Sequence, residues 1–370
     1  MRYRRSNKSD TKKEHLFNIM LVFIRAAVLD RIPEVPCDMV VDWDELMDLS
    51  SSHGVLAWVW EGICKLPIEQ QPPRQQRISW GLSAQEIQKQ YYLHREKLLE
   101  MLKVCDANGM KLLLLKGISL SFLYPKPYLR QSRDIDIYLF NDCERGNELL
   151  FDGEVELRGK HYIYNKNGIQ IENHIQFYSN LSPFHEKIEK YLESVIGDSY
   201  KTEDGYYVMP QESLVIYLLL HSLIHLCHPT DPIRIQNIVD FGMVLKKCNG
   251  DLLPRLHGLL ESLNLNKAFL LFVNLSEWVL DIDLSSYVKG EPSTSDDFKS
   301  AVNFFLDDNL RHPAFIGLPK YQKLFQRWSH YRQAKWRYKY IPTYNSKRKE
   351  TFLRELSIDL AYLVINKKKK

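Results

Sequence analysis

Four consecutive leucines, Leu112–Leu115, run straight into Lys116-Gly117, and this stretch limits the architecture more than any other. A short unbroken apolar run closed by a glycine reads as a strand near the centre of a sheet, covered on both faces. Lys116-Gly117-Ile118-Ser119 then turns into a short helix at Leu120–Leu123, which Tyr124-Pro125-Lys126-Pro127 ends. A second strand follows over Asp134–Phe140. Strand side chains alternate between faces, so Asp134 and Asp136 share one side and Ile135 and Ile137 take the other. Downstream, His161-Tyr162-Ile163-Tyr164, the turn Asn165-Lys166-Asn167-Gly168 and Ile169–Phe177 read as a hairpin, because Asn-Gly between alternating segments is a strong turn signal. Gln170, Glu172 and His174 then share one face of its second strand, and Ile169, Ile171 and Ile175 the other.

On either side of this sheet-forming stretch the periodicity is helical. Residues 13–31 form an amphipathic pattern stopped by Pro33 and Pro36, and Asp42 with Glu45 is placed to cap the next helix. Val55–Ile63 is apolar nearly all round, Gln71-Pro72-Pro73-Arg74 is a loop, and a long helix runs from about Ser83 to Asn108, ended by Gly109. After residue 210 helices are expected at Ser213–Cys227, Ile235–Lys247, Leu252–Leu263, Lys267–Leu280, Asp296–Leu306 and Lys349–Ile365. The fold class is therefore α+β. The expected division is a helical region over 1–108, an α/β core over 109–208, and a C-terminal helical domain over 209–370 that carries a basic aromatic segment.

Composition excludes several classes. With 45% hydrophobic and 26% charged residues over 370 positions, the chain is of the ordinary globular kind, and a net charge of +4 does not by itself imply nucleic acid. Six dispersed cysteines without a C-x-x-C pair indicate neither a zinc ribbon nor a disulfide framework, which fits a cytoplasmic location. The N-terminal run LFNIMLVFIRAAVL is interrupted by Asn18 and Arg25, so it reads as a helix rather than a signal peptide. No apolar run approaches the roughly 20 residues that span a bilayer, and no membrane association is expected.

The order strand, glycine turn, helix, D-x-D strand and later acidic strand resembles the nucleotidyltransferase fold of the DNA polymerase β superfamily. It is closest to a subgroup of uncharacterised bacterial nucleotidyltransferase-like proteins. The likeness rests on Leu115-Lys116-Gly117, Tyr124-Pro125-Lys126-Pro127, Arg130 with Asp134-Ile135-Asp136, and Glu172-Asn173-His174. Weaker likeness extends to Asp42-Trp43, His53-Gly54-Val55 and Ile233–Asp240. This resemblance implies a minimal nucleotidyltransferase mixed sheet flanked by N-terminal and C-terminal helical regions, with an NTP as substrate and an acceptor it does not name. It implies Mg²⁺ or Mn²⁺ on Asp134, Asp136 and Glu172, an oxygen donor set suited to such ions. It also directs Lys116, Gly117, Ser119 and Arg130 toward the nucleotide. Gly117 lets backbone approach phosphate, the helix after it offers N–H groups, Ser119 adds a hydroxyl, and Lys116 and Arg130 add positive charge. His174 is expected to orient a carboxylate or the substrate, or to close the sheet with a hydrogen bond, and Asp240 to act on the substrate or behind the ligands, or to tie two helices together by a buried hydrogen bond. Three positions depart from the pattern: Ile118 separates Gly117 from Ser119, Glu stands at 172 for the commoner Asp, and Arg133 precedes Asp134.

Other residues invite blander readings. His221, His225 and His228 with Cys227 resemble a zinc cluster in spacing, but on so apolar a helix they read as packing histidines. Arg327, Arg332, Lys335, Arg337 and Lys339 interleave with aromatic residues. An amphipathic surface segment is favoured there over RNA binding. Two alternatives to a transferase therefore stand: a catalytically inactive binding protein of the same fold, and an RNA-binding or RNA-modifying protein.

Overall fold

Leu16, Phe17, Met20, Phe23 and Ile24 are buried along one side of α1 (Lys8–Val28), as their helical spacing requires. The structure is a computed structural model that describes residues 8–35, 40–177, 185–226, 233–248, 252–287 and 302. The expected helix at 349–365, nearly all of that at 296–306, the basic aromatic segment, Cys227 and His228 lie outside the described residues. Asp42 caps α2 (Trp43–Ser52), its side chain accepting from the Glu45 N–H at 3.2 Å. The buried helix α3 (Leu56–Cys64) crosses α1 closely at Gly62, where a Cβ would lie 2.4 Å from the Phe23 carbonyl oxygen. α4 spans Arg74–Ala107 and so begins well before the expected Ser83. Pro73 fixes its first turn, and Trp80 and Ala84 give its polar beginning a buried face.

The sheet-forming stretch runs β1 (Leu113–Leu114), α5 (Ile118–Ser121), β2 (Asp134–Tyr138), α6 (Cys143–Leu150), β3 (Glu156–Arg158), β4 (His161–Lys166) and β5 (Ile169–His174). Then come α7 (His185–Ile196), β6 (Tyr200–Lys201) and β7 (Tyr207–Val208), and the helices α8 (Gln211–Leu226), α9 (Ile235–Lys247), α10 (Leu253–Ser262) and α11 (Asn266–Leu280). Among the described residues the strands form one mixed seven-stranded sheet in the order β3-β4-β5-β2-β1-β7-β6, so the class is α+β. β1 is antiparallel to β2 and parallel to β7, while β2 and β5 run parallel. The β4–β5 turn is only Asn167-Gly168, both at positive φ, and Lys166 pairs with Ile169. Asn165 and Lys166, expected in the turn, extend the strand instead because this two-residue turn matches the strands' twist.

Each sheet face is covered. On one, Leu112, Leu114, Ile135, Ile137 and Ile171 pack with Tyr91, Leu98 and Met101 of α4 and Leu150 of α6. On the other, Leu113 and Leu115 join a core that includes α8, α9 and α11 together with α1 and α3. Arg25 donates from α1 to the Trp278 and Val279 carbonyls at 2.6 and 3.0 Å, satisfying acceptors in the last turn of α11. No helix among the described residues is long and apolar enough to cross a membrane. Cys64, Cys105, Cys143 and Cys248 are free thiols.

Candidate metal and nucleotide site

Three adjacent strands build the site. Parallel register sets Asp136 of β2 opposite Glu172 of β5, with Asp134 opposite Gln170. Since Ile135, Ile137 and Ile171 occupy the α4 side, the carboxylates must project toward α8. Ligand oxygens of Asp134, Asp136 and Glu172 all lie within 4.8 Å of one another. Lys116, just past β1, reaches into this group, its Nζ 2.8 Å from Asp136 Oδ2 and 3.9 Å from Asp134 Oδ2. His174 Nε2 lies 3.0 Å from Asp136 Oδ1, and Gln170 donates to Glu172 Oε1 at 2.9 Å.

Charge in this cluster is unevenly shared. Asp136 is fully buried, and burial opposes its ionisation, yet Lys116 and His174 hold it well below the usual carboxylate range. Burial and then Asp136 push Asp134 up, and burial with repulsion from Asp136 and Asp134 pushes Glu172 up to about 7. Burial likewise opposes the charge on Lys116, but Asp134 and Asp136 hold its pKa above the ordinary value. Burial lowers His174, and burial with His174 lowers His161 to about 4, so both imidazoles are neutral near pH 7. Of the three carboxylates, Asp134 and Asp136 contact the Lys116 ammonium and Glu172 contacts His161 and His174, so negative charge is in excess. That excess, the close spacing and the all-oxygen donor set fit a divalent ion of the magnesium kind.

A second buried cluster lies beside the first. Arg130 grips Asp240 of α9 with two bonds, Nε to Oδ1 at 2.9 Å and Nη2 to Oδ2 at 2.6 Å. Its Nη1 donates to the Gly117 carbonyl at 2.9 Å, and the Tyr124 hydroxyl donates to Asp240 Oδ1 at 2.5 Å. Gly117 sits at φ +73°, and a Cβ there would lie 3.0 Å from Ser132 Oγ, so the turn is built for glycine. Between the clusters opens a pocket of about 400 Å³. Lys116, Arg130, Arg133 and Arg234 line it against Asp134 and Asp240, a surplus of positive charge. Gln131, Ser132, Gln236 and Asn237 add hydrogen-bonding groups.

The structure thus brings Lys116, Gly117, Arg130, Asp134 and Asp240 to one pocket, with Asp136, Glu172 and His174 joined to it through Lys116 and Asp134. Ser119 does not line the pocket, and its buried hydroxyl has no hydrogen-bond partner. The helix expected to offer N–H groups after Gly117 is α5, four residues and a single turn. Asp240 ties α9 to the loop before β2 and to Tyr124, rather than joining two helices. His221 and His225, expected as packing residues, contact each other at 3.3 Å and also line the pocket. Sequence reasoning passes over Ser132, Arg234, Gln236 and Asn237, and it takes His161 only as the start of a strand. For His161 a signal exists: an Asn167-Gly168 turn pairing 166 with 169 also pairs 161 with 174. For the pocket residues there is none, since β2 and α9 are a hundred residues apart.

Residues 40–281, well over half of the chain, match the family described as uncharacterised nucleotidyltransferase, and the chain belongs to that family. No curated protein and no solved structure matches the chain.

Proposed function

We propose that the chain transfers a nucleoside monophosphate from an NTP to a hydroxyl, phosphate or amine of an acceptor, the bond between the α- and β-phosphates breaking and pyrophosphate leaving. The observation that carries this reading is the convergence of Asp134, Asp136 and Glu172 within 4.8 Å, at the edge of a pocket with a cationic lining. When Mg²⁺ or Mn²⁺ is held by these three carboxylates, it supplies neutralisation of triphosphate charge and of the departing oxygen. Lys116 and Arg133 attract the phosphates, and Gly117, lacking a side chain, lets them approach the backbone. Arg130 is already gripped by Asp240, so its part is to hold Gly117 in place while its charge stays at the pocket wall. Glu172 either holds the ion with the two aspartates or, left free of it, takes the acceptor's proton where that proton comes within hydrogen-bond reach.

One observation favours a second reading. Lys116 Nζ, 2.8 Å from Asp136, already neutralises part of the carboxylate charge, as a non-catalytic nucleotide-binding protein would need. Incubation with α-labelled NTPs, Mg²⁺ or Mn²⁺ and a cell extract separates the two. Label transfer abolished by Asp134→Asn with Asp136→Asn supports the transferase, and transfer that survives both substitutions removes the role given to these carboxylates. Nucleotide bound without transfer supports the binding protein.

A further inference from the structure

We propose that His161, Glu172 and His174 form a second metal site, one that takes a transition-metal ion of the zinc class in preference to magnesium. The register of the β4–β5 hairpin puts His161 opposite His174 and Ile163 opposite Glu172, so all three ligands project from one face. Glu172 Oε2 lies 3.5 Å from His161 Nδ1 and 3.7 Å from His174 Nε2, and the three ligand atoms lie within 4.8 Å of one another. Ligands roughly 2.0–2.1 Å from a tetrahedral ion stand about 3.3 Å apart, so small side-chain adjustments close the set.

The hydrogen-bond inventory points the same way. Gln170 occupies Glu172 Oε1, which leaves Oε2 to the two imidazoles. His161 Nδ1 is buried and has no hydrogen-bond partner. His174 faces two groups that can only accept: the Gln176 carbonyl 3.3 Å from Nδ1, and the Asp136 carboxylate 3.0 Å from Nε2. A neutral imidazole has one proton and satisfies one of them. In the metal-free chain the proton on Nε2 satisfies Asp136 and leaves the Gln176 carbonyl without a donor, whereas an ion bound at Nε2 in place of that proton lets Nδ1–H donate to Gln176. A ring N–H donated to a backbone carbonyl is also how metal-binding histidines are commonly held. Two imidazole nitrogens favour zinc, copper, iron and nickel, whereas magnesium and manganese prefer an all-oxygen set. The site shares Glu172 with the carboxylate cluster but needs no transfer reaction, so it stands or falls separately.

Cobalt(II) serves as the probe, titrated into the EDTA-treated full chain with millimolar Mg²⁺ present. Visible ligand-field bands that saturate at one ion per chain are expected. His161→Gln should weaken that binding by about 100-fold or more, while Asp134→Asn, outside the set, retains it. Equal cobalt binding by the wild-type chain and His161→Gln would overturn the site, as would displacement of cobalt by comparable Mg²⁺. Should His161→Gln melt below the wild-type chain in EDTA, pulsed EPR of the Cu²⁺-loaded wild type with millimolar Mg²⁺ present decides. Nitrogen couplings from imidazole support the assignment, and their absence means a hydrogen-bonded histidine only.

Discussion

Two buried charge clusters meet at Gly117 and differ in how their charge is balanced. Around Arg130, one guanidinium faces one carboxylate, all its nitrogens have acceptors, and Tyr124 adds a donor to Asp240. Around Asp136, three carboxylates crowd together and Lys116 contacts two of them, Asp136 and Asp134. A balanced buried pair with its hydrogen bonds complete holds geometry, because removing either partner strands a charge. An unbalanced cluster stays dependent on what binds it. The first cluster therefore reads as the brace that fixes the pocket wall, and the second as the part reserved for a ligand.

The hardest test of this contrast is Arg130→Ala, which leaves Asp240 buried without its cation. A loss of about 3–5 kcal/mol in urea unfolding is expected. Asp134→Asn in EDTA removes a repulsion and should cost less than about 1 kcal/mol, or stabilise the chain. Equal losses would break the distinction.

Next in size is the pH response of the unbalanced cluster. Folded Glu172 keeps its proton up to about pH 7, whereas the unfolded chain releases it near 4.5. Between these values the folded state binds more protons, so stability falls as pH rises. Glu172 alone accounts for a decline on the order of 3 kcal/mol. Without metal, the stability difference between wild type and Glu172→Gln should change by that amount across this window, and a bound divalent ion should reduce the change. Parallel pH curves for the two proteins in EDTA would show that Glu172 carries no such burden.

How far the contrast can be read from sequence follows from the range of the forces involved. Alternation along Asp134–Tyr138 and Ile169–His174 is local, so the order of residues alone puts Asp134 and Asp136 on one face and Glu172 with His174 on another strand's face. The Asn167-Gly168 turn is legible for the same reason. β3, β6 and β7 are not, because two or three residues at or near a sheet edge carry too little pattern. α4 reads short because only Trp80 and Ala84 mark the buried side of its polar start. The Arg130–Asp240 pair spans 110 positions, and nothing local announces it. Pairing over such a distance follows from the packing of α9 beside the sheet.

Within the balanced cluster, Tyr124→Phe removes one hydrogen bond to a charged acceptor and leaves the ion pair intact. A cost of about 2 kcal/mol is expected in thermal or urea unfolding. A loss as large as that of Arg130→Ala would mean that the hydroxyl, rather than the guanidinium, carries the brace.

The smallest expected effect separates two serines, Ser119 two residues after Gly117 and Ser132 packed against it. Ser119 Oγ is buried without a partner, so Ser119→Ala removes an unsatisfied group and should shift stability by less than about 0.5 kcal/mol. Ser132 Oγ donates to the Asp134 carbonyl at 2.9 Å and lines the pocket, so Ser132→Ala should cost about 1 kcal/mol. Nucleotide affinity, measured by calorimetry, sharpens the difference. It should fall with Ser132→Ala and stay at the wild-type value with Ser119→Ala. The reverse outcome would move the phosphate site off the pocket and onto the single turn of α5. The unbalanced cluster would then lie behind its ligand rather than beside it.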